Sequence, residues 1–80
     1  MHQNLQNYKV ENVAVNIRHA REALFYTQEY LAAKLKISQN SYSKIELGYV
    51  KLSLDRFLKI CQILDLEPSN LLKGETADAA

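Results

Sequence analysis

Residues 27–47 constrain the fold of this chain more than any other stretch, because they contain two helix start signals separated by one short turn. They read TQEYLAAKLKISQNSYSKIEL. Thr27 and Ser38 each carry a hydroxyl that can accept a hydrogen bond from the free amides at the start of a helix. The pattern predicts one helix from Gln28 to Leu35 and a second from Gln39 to Leu47, joined by a tight turn.

Each of these two predicted helices has one apolar face. Leu31 and Leu35 lie one turn apart on the first helix, and Tyr42 and Ile45 lie three residues apart on the second. Ala32 is small enough to let the second helix cross close to the first. The two helices are therefore expected to pack against each other.

The outer face of the second helix is polar and carries amides, a hydroxyl and an amine. Its members are Gln39, Asn40, Ser43 and Lys44. Amide side chains can form paired hydrogen bonds with an adenine edge, and a lysine can reach guanine or a phosphate. A short helix with this surface fits the major groove of double-stranded DNA, which is the helix-turn-helix arrangement. The alternative is an ordinary helical hairpin whose polar face is only solvated.

The charge distribution along the chain is uneven, although the net charge of +1 is itself weak support for nucleic-acid binding. Between residues 34 and 51 the charged residues are Lys34, Lys36, Lys44 and Lys51 against Glu46, and from residue 65 onward they are Asp65, Glu67, Glu75 and Asp78 against Lys73. This distribution is compatible with one side that faces DNA, and equally with lysines that only add solubility.

Three further helices are predicted, and no segment carries a strand signal. The first helix of the chain should run from about Glu11 to Leu24, with the apolar stripe Val13, Ile17, Ala20 and Leu24. The fourth should run from Leu54 to Leu64 after the cap Ser53, with the stripe Leu54, Phe57, Leu58, Ile60, Cys61 and Leu64. A short fifth helix should start with Pro68 in its first turn and end before Gly74.

Several residues between or beside the helices have predictable structural roles. Arg21 lies next to an apolar stripe, where a charge needs a partner, and Glu46 is the candidate. The alternative is a surface arginine with a solvated head. Phe25 and Tyr26 are predicted to tuck against the core, with Phe25 the more buried. Gly48 is predicted to stop the third helix in a left-handed conformation.

The length of 80 residues suits one domain with a small core, which we expect over residues 11–73. Residues 1–10 are predicted to fray, to extend the first helix or to form an arm, and residues 74–80 to be a disordered tail. No apolar run is long enough to span a bilayer and no secretory signal is seen, so we expect a cytoplasmic, nucleoid-associated protein with no membrane contact.

The residues that usually carry catalysis or bind cofactors are sparse in this sequence. Cys61 is the only cysteine, and its apolar surroundings predict a buried, inert thiol. No glycine-rich loop could hold a phosphate, and the carboxylates are not spaced as metal ligands. We therefore expect no enzyme activity, cofactor, metal or small-molecule ligand.

Taken together, the motifs resemble the Xre/Cro-type helix-turn-helix domain of phage repressors and bacterial regulators. The similar segments are IRxxR at 17–21, TQEYLAAKL at 27–35, ISQNSYSKIELG at 37–48, and an apolar helix followed by a short capped one at 61–72. The resemblance implies an all-α, five-helix, lambda-repressor-like fold that binds DNA as a homodimer. Phe25 and Lys36 depart from the family pattern, because glycine is often found at both places.

The resemblance also implies roles for individual residues. Base contacts fall to Gln39, Asn40, Ser43 and Lys44, and phosphate contacts to Gln28, Ser41, Tyr49 and Lys51. Arg21 and Glu46 are implied to form a structural ion pair, in agreement with the pairing inferred from their surroundings. Dimerisation is implied through the fourth and fifth helices, where the surplus apolar residues are Ile63, Leu66, Leu71 and Leu72. The alternative is that all four are buried in the monomer.

Two hypotheses of different classes follow. The first is a sequence-specific DNA-binding transcriptional regulator that acts as a homodimer. The second is an antitoxin-like or adaptor protein that acts mainly through contacts with a toxin or another protein. The basic residues near the predicted motif argue against a complete loss of DNA binding, and so favour the first hypothesis.

Overall fold

Five α-helices make up the part of the chain that the computed structural model describes, residues 10–73, and no strand occurs among these residues. The helices are α1 (Val10–Ala23), α2 (Gln28–Leu35), α3 (Gln39–Glu46), α4 (Leu54–Leu64) and α5 (Pro68–Leu72). The predicted bounds agree with these to within one residue, and the all-α, five-helix expectation is confirmed. The predictions made for residues 1–9 and 74–80 lie outside the described residues.

Side-chain caps fix where the helices begin. Thr27, Ser38 and Ser53 have extended backbones, and each hydroxyl accepts a hydrogen bond from the backbone N–H three residues later. Each cap satisfies an amide that has no partner inside the helix, which typically contributes about 1 kcal/mol. Pro68 begins α5 instead, because its fixed φ and missing N–H suit the first helical residue.

Left-handed residues end four of the helices. They are Phe25 (φ 61°), Lys36 (φ 61°), Gly48 (φ 77°) and Asp65 (φ 57°). After each of them, the next N–H donates to a carbonyl five residues back, which satisfies the free carbonyls of the last turn. Three of the four carry a side chain, at a cost of roughly 1 kcal/mol each relative to glycine.

The core draws at least one fully buried side chain from every helix. The largest of these are Ile17, Leu31, Tyr42, Ile60, Leu64 and Leu71. The helix α5 is also tied to α1 by Asn16, whose side-chain amide donates to the carbonyls of Leu71 (2.9 Å) and Lys73 (2.7 Å). No helix can therefore leave its place without opening the core that holds α2 and α3.

The prediction that Phe25 is the more buried of the two aromatic residues after α1 was wrong. Phe25 is 92% exposed, whereas Tyr26 is half-buried and packs against the core. The left-handed backbone at Phe25 turns its side chain away from the protein. Leu24 lies beyond the last turn of α1 and is also exposed, so the apolar stripe of α1 ends at Ala20.

The buried apolar stripe of α4 is narrower than predicted. Leu54 and Leu58 are exposed, because they lie one turn apart at the edge of the buried face of α4.

Leu71, which was predicted as a dimer contact, is only 1% exposed and therefore cannot contact a partner subunit. Ile63, Leu66 and Leu72 are half-buried and pack against the core.

We predict that Phe25→Gly raises the free energy of unfolding by about 1 kcal/mol, because glycine adopts a positive φ without a Cβ penalty and the exposed ring loses little packing. Urea denaturation followed by circular dichroism measures this change. Ala33→Gly, at an exposed residue inside α2, is the control and should lower stability by about the same amount. A stability loss in both variants would contradict the strain at Phe25.

Candidate nucleic-acid interface

The turn between α2 and α3 sets how the two helices meet. Lys36 adopts the left-handed conformation, and its N–H donates to the carbonyl of Ala33 at 3.1 Å. The N–H of Ile37 then donates to the carbonyl of Ala32 at 3.0 Å, and its side chain packs against the core. Ser38 follows as the cap of α3, so the connection between the two helices consists of Lys36, Ile37 and Ser38 alone.

Glu46 is a buried charge at which α1, α2 and α3 meet, and its side chain is only 3% exposed. Arg21 donates to it twice, from Nε to Oε2 at 2.7 Å and from Nη2 to Oε1 at 3.1 Å. Gln28 donates from Nε2 to Oε1 at 3.0 Å, and the Tyr42 hydroxyl donates to Oε2 at 2.5 Å. One carboxylate thus joins side chains from three helices.

Arg21 extends this network to the segment between α1 and α2. Its Nη1 donates to the carbonyl of Tyr26 at 2.8 Å, and its Nη2 lies 3.9 Å from the Glu22 carboxylate. The same guanidinium therefore fixes both the last turn of α3 and the approach to α2. A substitution of Arg21 would therefore remove the contact with Glu46 of α3 and the contact with the Tyr26 carbonyl together.

The network shifts the pKa values of its members. Burial by itself would raise the pKa of Glu46, but the hydrogen bonds from Arg21, Tyr42 and Gln28 outweigh it and hold that pKa below its ordinary value. Burial and the hydrogen bond to Glu46 raise the pKa of Tyr42. The hydrogen bond with Glu46 raises the pKa of Arg21. The carboxylate and the guanidinium are both ionised at neutral pH.

The predicted base-contact residues lie on the outer side of α3. Asn40 and Lys44 are exposed and one turn apart, on the side opposite the buried Tyr42. Gln39 is exposed and Ser43 is half-buried, and these two form the neighbouring row. The structure therefore brings all four side chains together on one surface.

The predicted phosphate-contact residues are spread over three segments. Gln28 is the first residue of α2, and its Nε2 has a second N–H besides the one given to Glu46. Ser41 is exposed in the first turn of α3, where its hydroxyl accepts a hydrogen bond from Ser38 at 3.0 Å. Tyr49 and Lys51 are exposed in the segment between α3 and α4. These four residues therefore come from α2, from α3 and from the segment between α3 and α4.

Two members of the Glu46 network were not predicted from the sequence, namely the hydroxyl of Tyr42 and the amide of Gln28. The spacing of Tyr42 and Glu46, four residues apart on one helix, was a signal for the first contact. The Gln28 contact joins two helices, so only the packing of α2 on α3 could show it.

A contact between two aromatic rings, Tyr26 before α2 and Tyr30 on it, was also not predicted. The ring centroids of Tyr26 and Tyr30 are 4.5 Å apart, and Lys34 Nζ lies 5.6 Å from the Tyr30 centroid. Residues 26, 30 and 34 follow a four-residue spacing that was visible in the sequence. The ammonium of Lys34 therefore lies over the ring of Tyr30, and Tyr30 in turn contacts Tyr26 of the α1–α2 segment.

Within residues 10–73, no helix is both long and apolar enough to cross a membrane. The same part of the chain contains no group of three or more side chains arranged to hold a metal ion.

A model of the helix-turn-helix family matches residues 17–71. The chain is also 35% identical over 60 residues to y4dL of Sinorhizobium fredii, an uncharacterized HTH-type transcriptional regulator. That match covers 75% of this chain and 31% of the relative, so the chain spans less than a third of the relative's length.

Solved structures show similar folds. The restriction-modification controller protein C.AhdI of Aeromonas hydrophila has a TM-score of 0.70 and 30% identity, over 75% of this chain and 91% of that one. The DNA-binding domain of the P22 c2 repressor has a TM-score of 0.76 over 90% of this chain and 95% of that one. Its identity of 22% shows a shared fold alone.

The lowered pKa of Glu46 predicts a loss of stability in acid. Above the ordinary carboxyl pKa of about 4.3, Glu46 is ionised in both the folded and the unfolded chain, and its contribution is complete. As the pH falls below that value, the unfolded chain binds the proton first, so the free energy of unfolding decreases until the pH passes the folded pKa. Urea denaturation between pH 7 and pH 3 measures this loss.

Tyr42→Phe provides the comparison, because it removes one donor to the carboxylate and keeps the ring. We expect a decrease of about 1.5–3 kcal/mol in the free energy of unfolding at pH 7. We also expect a shallower acid loss, because the folded pKa of Glu46 moves closer to the unfolded one. Equal acid losses in the two proteins would contradict a role for the Tyr42 hydroxyl in holding that pKa down.

Proposed function

The chain belongs to the helix-turn-helix family, and we propose that it is a sequence-specific DNA-binding transcriptional regulator that places α3 in the major groove. The observation that carries this proposal is the outer face of α3, where amides and an amine are exposed on a helix whose inner face is fixed by buried contacts. A fixed helix with such side chains is suited to hydrogen bonding with base edges. No catalysis is proposed.

The electrostatics of α3 support DNA binding. Glu46 is the acidic residue of this helix, and its carboxylate is buried and bound by Arg21. An exposed carboxylate there would repel DNA phosphates, whereas Lys44 on the outer face attracts them. The face of α3 that is available to DNA is therefore neutral or positive, despite the small net charge of the chain.

Base and phosphate contacts divide among the exposed residues. Gln39 and Asn40 are proposed to bind adenine edges, Lys44 a guanine or a phosphate, and Ser43 an adjacent base edge. The phosphate contacts are assigned to Gln28, Ser41, Tyr49 and Lys51. Gln28 is suited to this role because one N–H of its amide is held by Glu46, which aims the other.

The proposed regulator binds double-stranded DNA as a homodimer on a two-fold symmetric site. Half-sites about one helical turn apart, ~34–36 Å, would place both copies of α3 in successive major grooves on one side of the duplex.

A second candidate function, an antitoxin-like or adaptor role with a protein partner, is favoured by the exposed apolar pair Leu24 and Phe25, which lies outside α3.

Selection from a random-sequence DNA pool at two salt concentrations tests this function. We expect enrichment of a two-fold symmetric site, with binding that weakens at higher salt as phosphate contacts are lost. Weak, salt-sensitive binding without an enriched sequence would contradict the proposal and favour the protein-partner alternative.

We predict that Gln39→Ala costs about 1–3 kcal/mol of binding free energy at one base position and relaxes discrimination there. Titration of the selected site and its single-base variants, by fluorescence anisotropy, measures this effect. Gln62→Ala is the matched control, because Gln62 is an exposed glutamine on α4. A uniform loss across all sequences would refute base contact by Gln39.

A further inference from the structure

Leu47 is an exposed apolar residue at the end of α3, the helix that the proposed function places in the major groove. Its exposed fraction is 58%, although the other exposed residues of α3 are polar. Its backbone is helical, and its N–H donates to the carbonyl of Ser43 at 3.1 Å, which closes the last turn of the helix. Leu47 therefore keeps the helical register of the residues before it.

The register places Leu47 in the same outer row as Asn40 and Lys44. The three residues are separated by four and then three positions, a spacing that brings side chains onto one face of a helix. Tyr42 and Ile45, at intermediate positions, are buried on the inner face. The outer row therefore runs along the side of α3 opposite the core and ends in an apolar side chain.

The segment after Leu47 continues from the same end of the helix. Gly48 turns the chain in a left-handed conformation, and the N–H of Tyr49 donates back to the carbonyl of Lys44 at 3.0 Å. This bond ties the backbone of Tyr49 to the last turn of α3. Lys44 is a proposed base contact and Tyr49 a proposed phosphate contact, so Leu47 lies along the chain between residues assigned to DNA.

The side chain of Leu47 is unsuited to a phosphate, because it carries neither a hydrogen-bond donor nor a charge. The apolar group that the major groove offers is the 5-methyl group of thymine, and an apolar side chain reads this base by covering that methyl group. Removing both groups from water favours binding. A contact with a thymine methyl group therefore accounts for an apolar residue at the end of a polar row.

We infer that Leu47 is a specificity-determining residue that contacts the 5-methyl group of a thymine in each half-site. The inference rests on the proposed function, which gives α3 its place in the groove. Leu47 follows Asn40 by seven residues, or about 10 Å along the helix axis. Because bases are spaced about 3.4 Å along a strand, the thymine lies within about three base pairs of the base that Asn40 binds.

Replacement of thymine by uracil tests this contact, because uracil lacks the 5-methyl group and pairs with adenine in the same way. The DNA site selected for the full chain is synthesised with each thymine of the half-site replaced in turn by deoxyuridine. Fluorescence anisotropy measures the affinity of each duplex for the wild type, Leu47→Ala and Leu47→Met. Leu58→Ala is the matched control, because Leu58 is an exposed leucine of α4. Circular dichroism verifies that the variants are folded.

We expect one thymine whose replacement by uracil weakens binding to the wild type and to Leu58→Ala about fourfold, the effect of one buried methyl group. Leu47→Ala should lose this sensitivity at that base only, and should bind the thymine and uracil duplexes equally. Leu47→Met keeps an apolar side chain of similar volume and should retain the preference for thymine.

Uracil replacements that affect the wild type and Leu47→Ala alike would overturn the inference and leave the proposed function intact. A loss of affinity in Leu47→Ala that is the same for every duplex would also overturn it, because Leu47 would then contact the sugar–phosphate backbone rather than a base. Failure of the wild type to enrich any DNA sequence would instead refute the proposed function, and the inference with it.

Discussion

The buried carboxylate of Glu46 is the constraint on which the arrangement of the first three helices depends. A charge that is 3% exposed is tolerable only if its partners are in place. Arg21, Gln28 and Tyr42 supply them from α1, α2 and α3. Loss of one partner of a buried ion pair typically costs about 3–5 kcal/mol, which is a large share of the stability of a small domain. The three helices are therefore fixed relative to one another by a polar contact inside an otherwise apolar core.

This buried contact also determines which side chains α3 presents to solvent. Tyr42 and Glu46 are one turn apart on the inner side of the helix, and Asn40 and Lys44 are one turn apart on the outer side. Two residues correspond to about 200° of helix rotation, so anchoring the inner pair fixes the direction of the outer pair. The feature that neutralises the acidic residue of α3 is thus the feature that aims its amides and its amine outward.

Much of the fold could be predicted from the sequence, because its signals are local. Hydroxyl caps at Thr27 and Ser38 and the apolar spacing on α2 and α3 gave the helix bounds closely. The exposure of Phe25 and Leu54 could not be predicted, because it depends on how the end of α1 and the edge of α4 pack against the rest of the domain. The candidate site was predicted as a set of exposed residues on α3, but the Gln28 contact that supports it depends on how α2 crosses α3.

The most direct test of this arrangement is the affinity of Glu46→Gln for the selected DNA site, measured where circular dichroism shows that the variant and the wild type are both fully folded. If the Glu46 carboxylate positions α3, the variant binds more weakly, because Gln28 and Arg21 lose the charge that anchors them. Unchanged affinity, with a loss of stability alone, would show that the network maintains the fold without directing the outer face of α3.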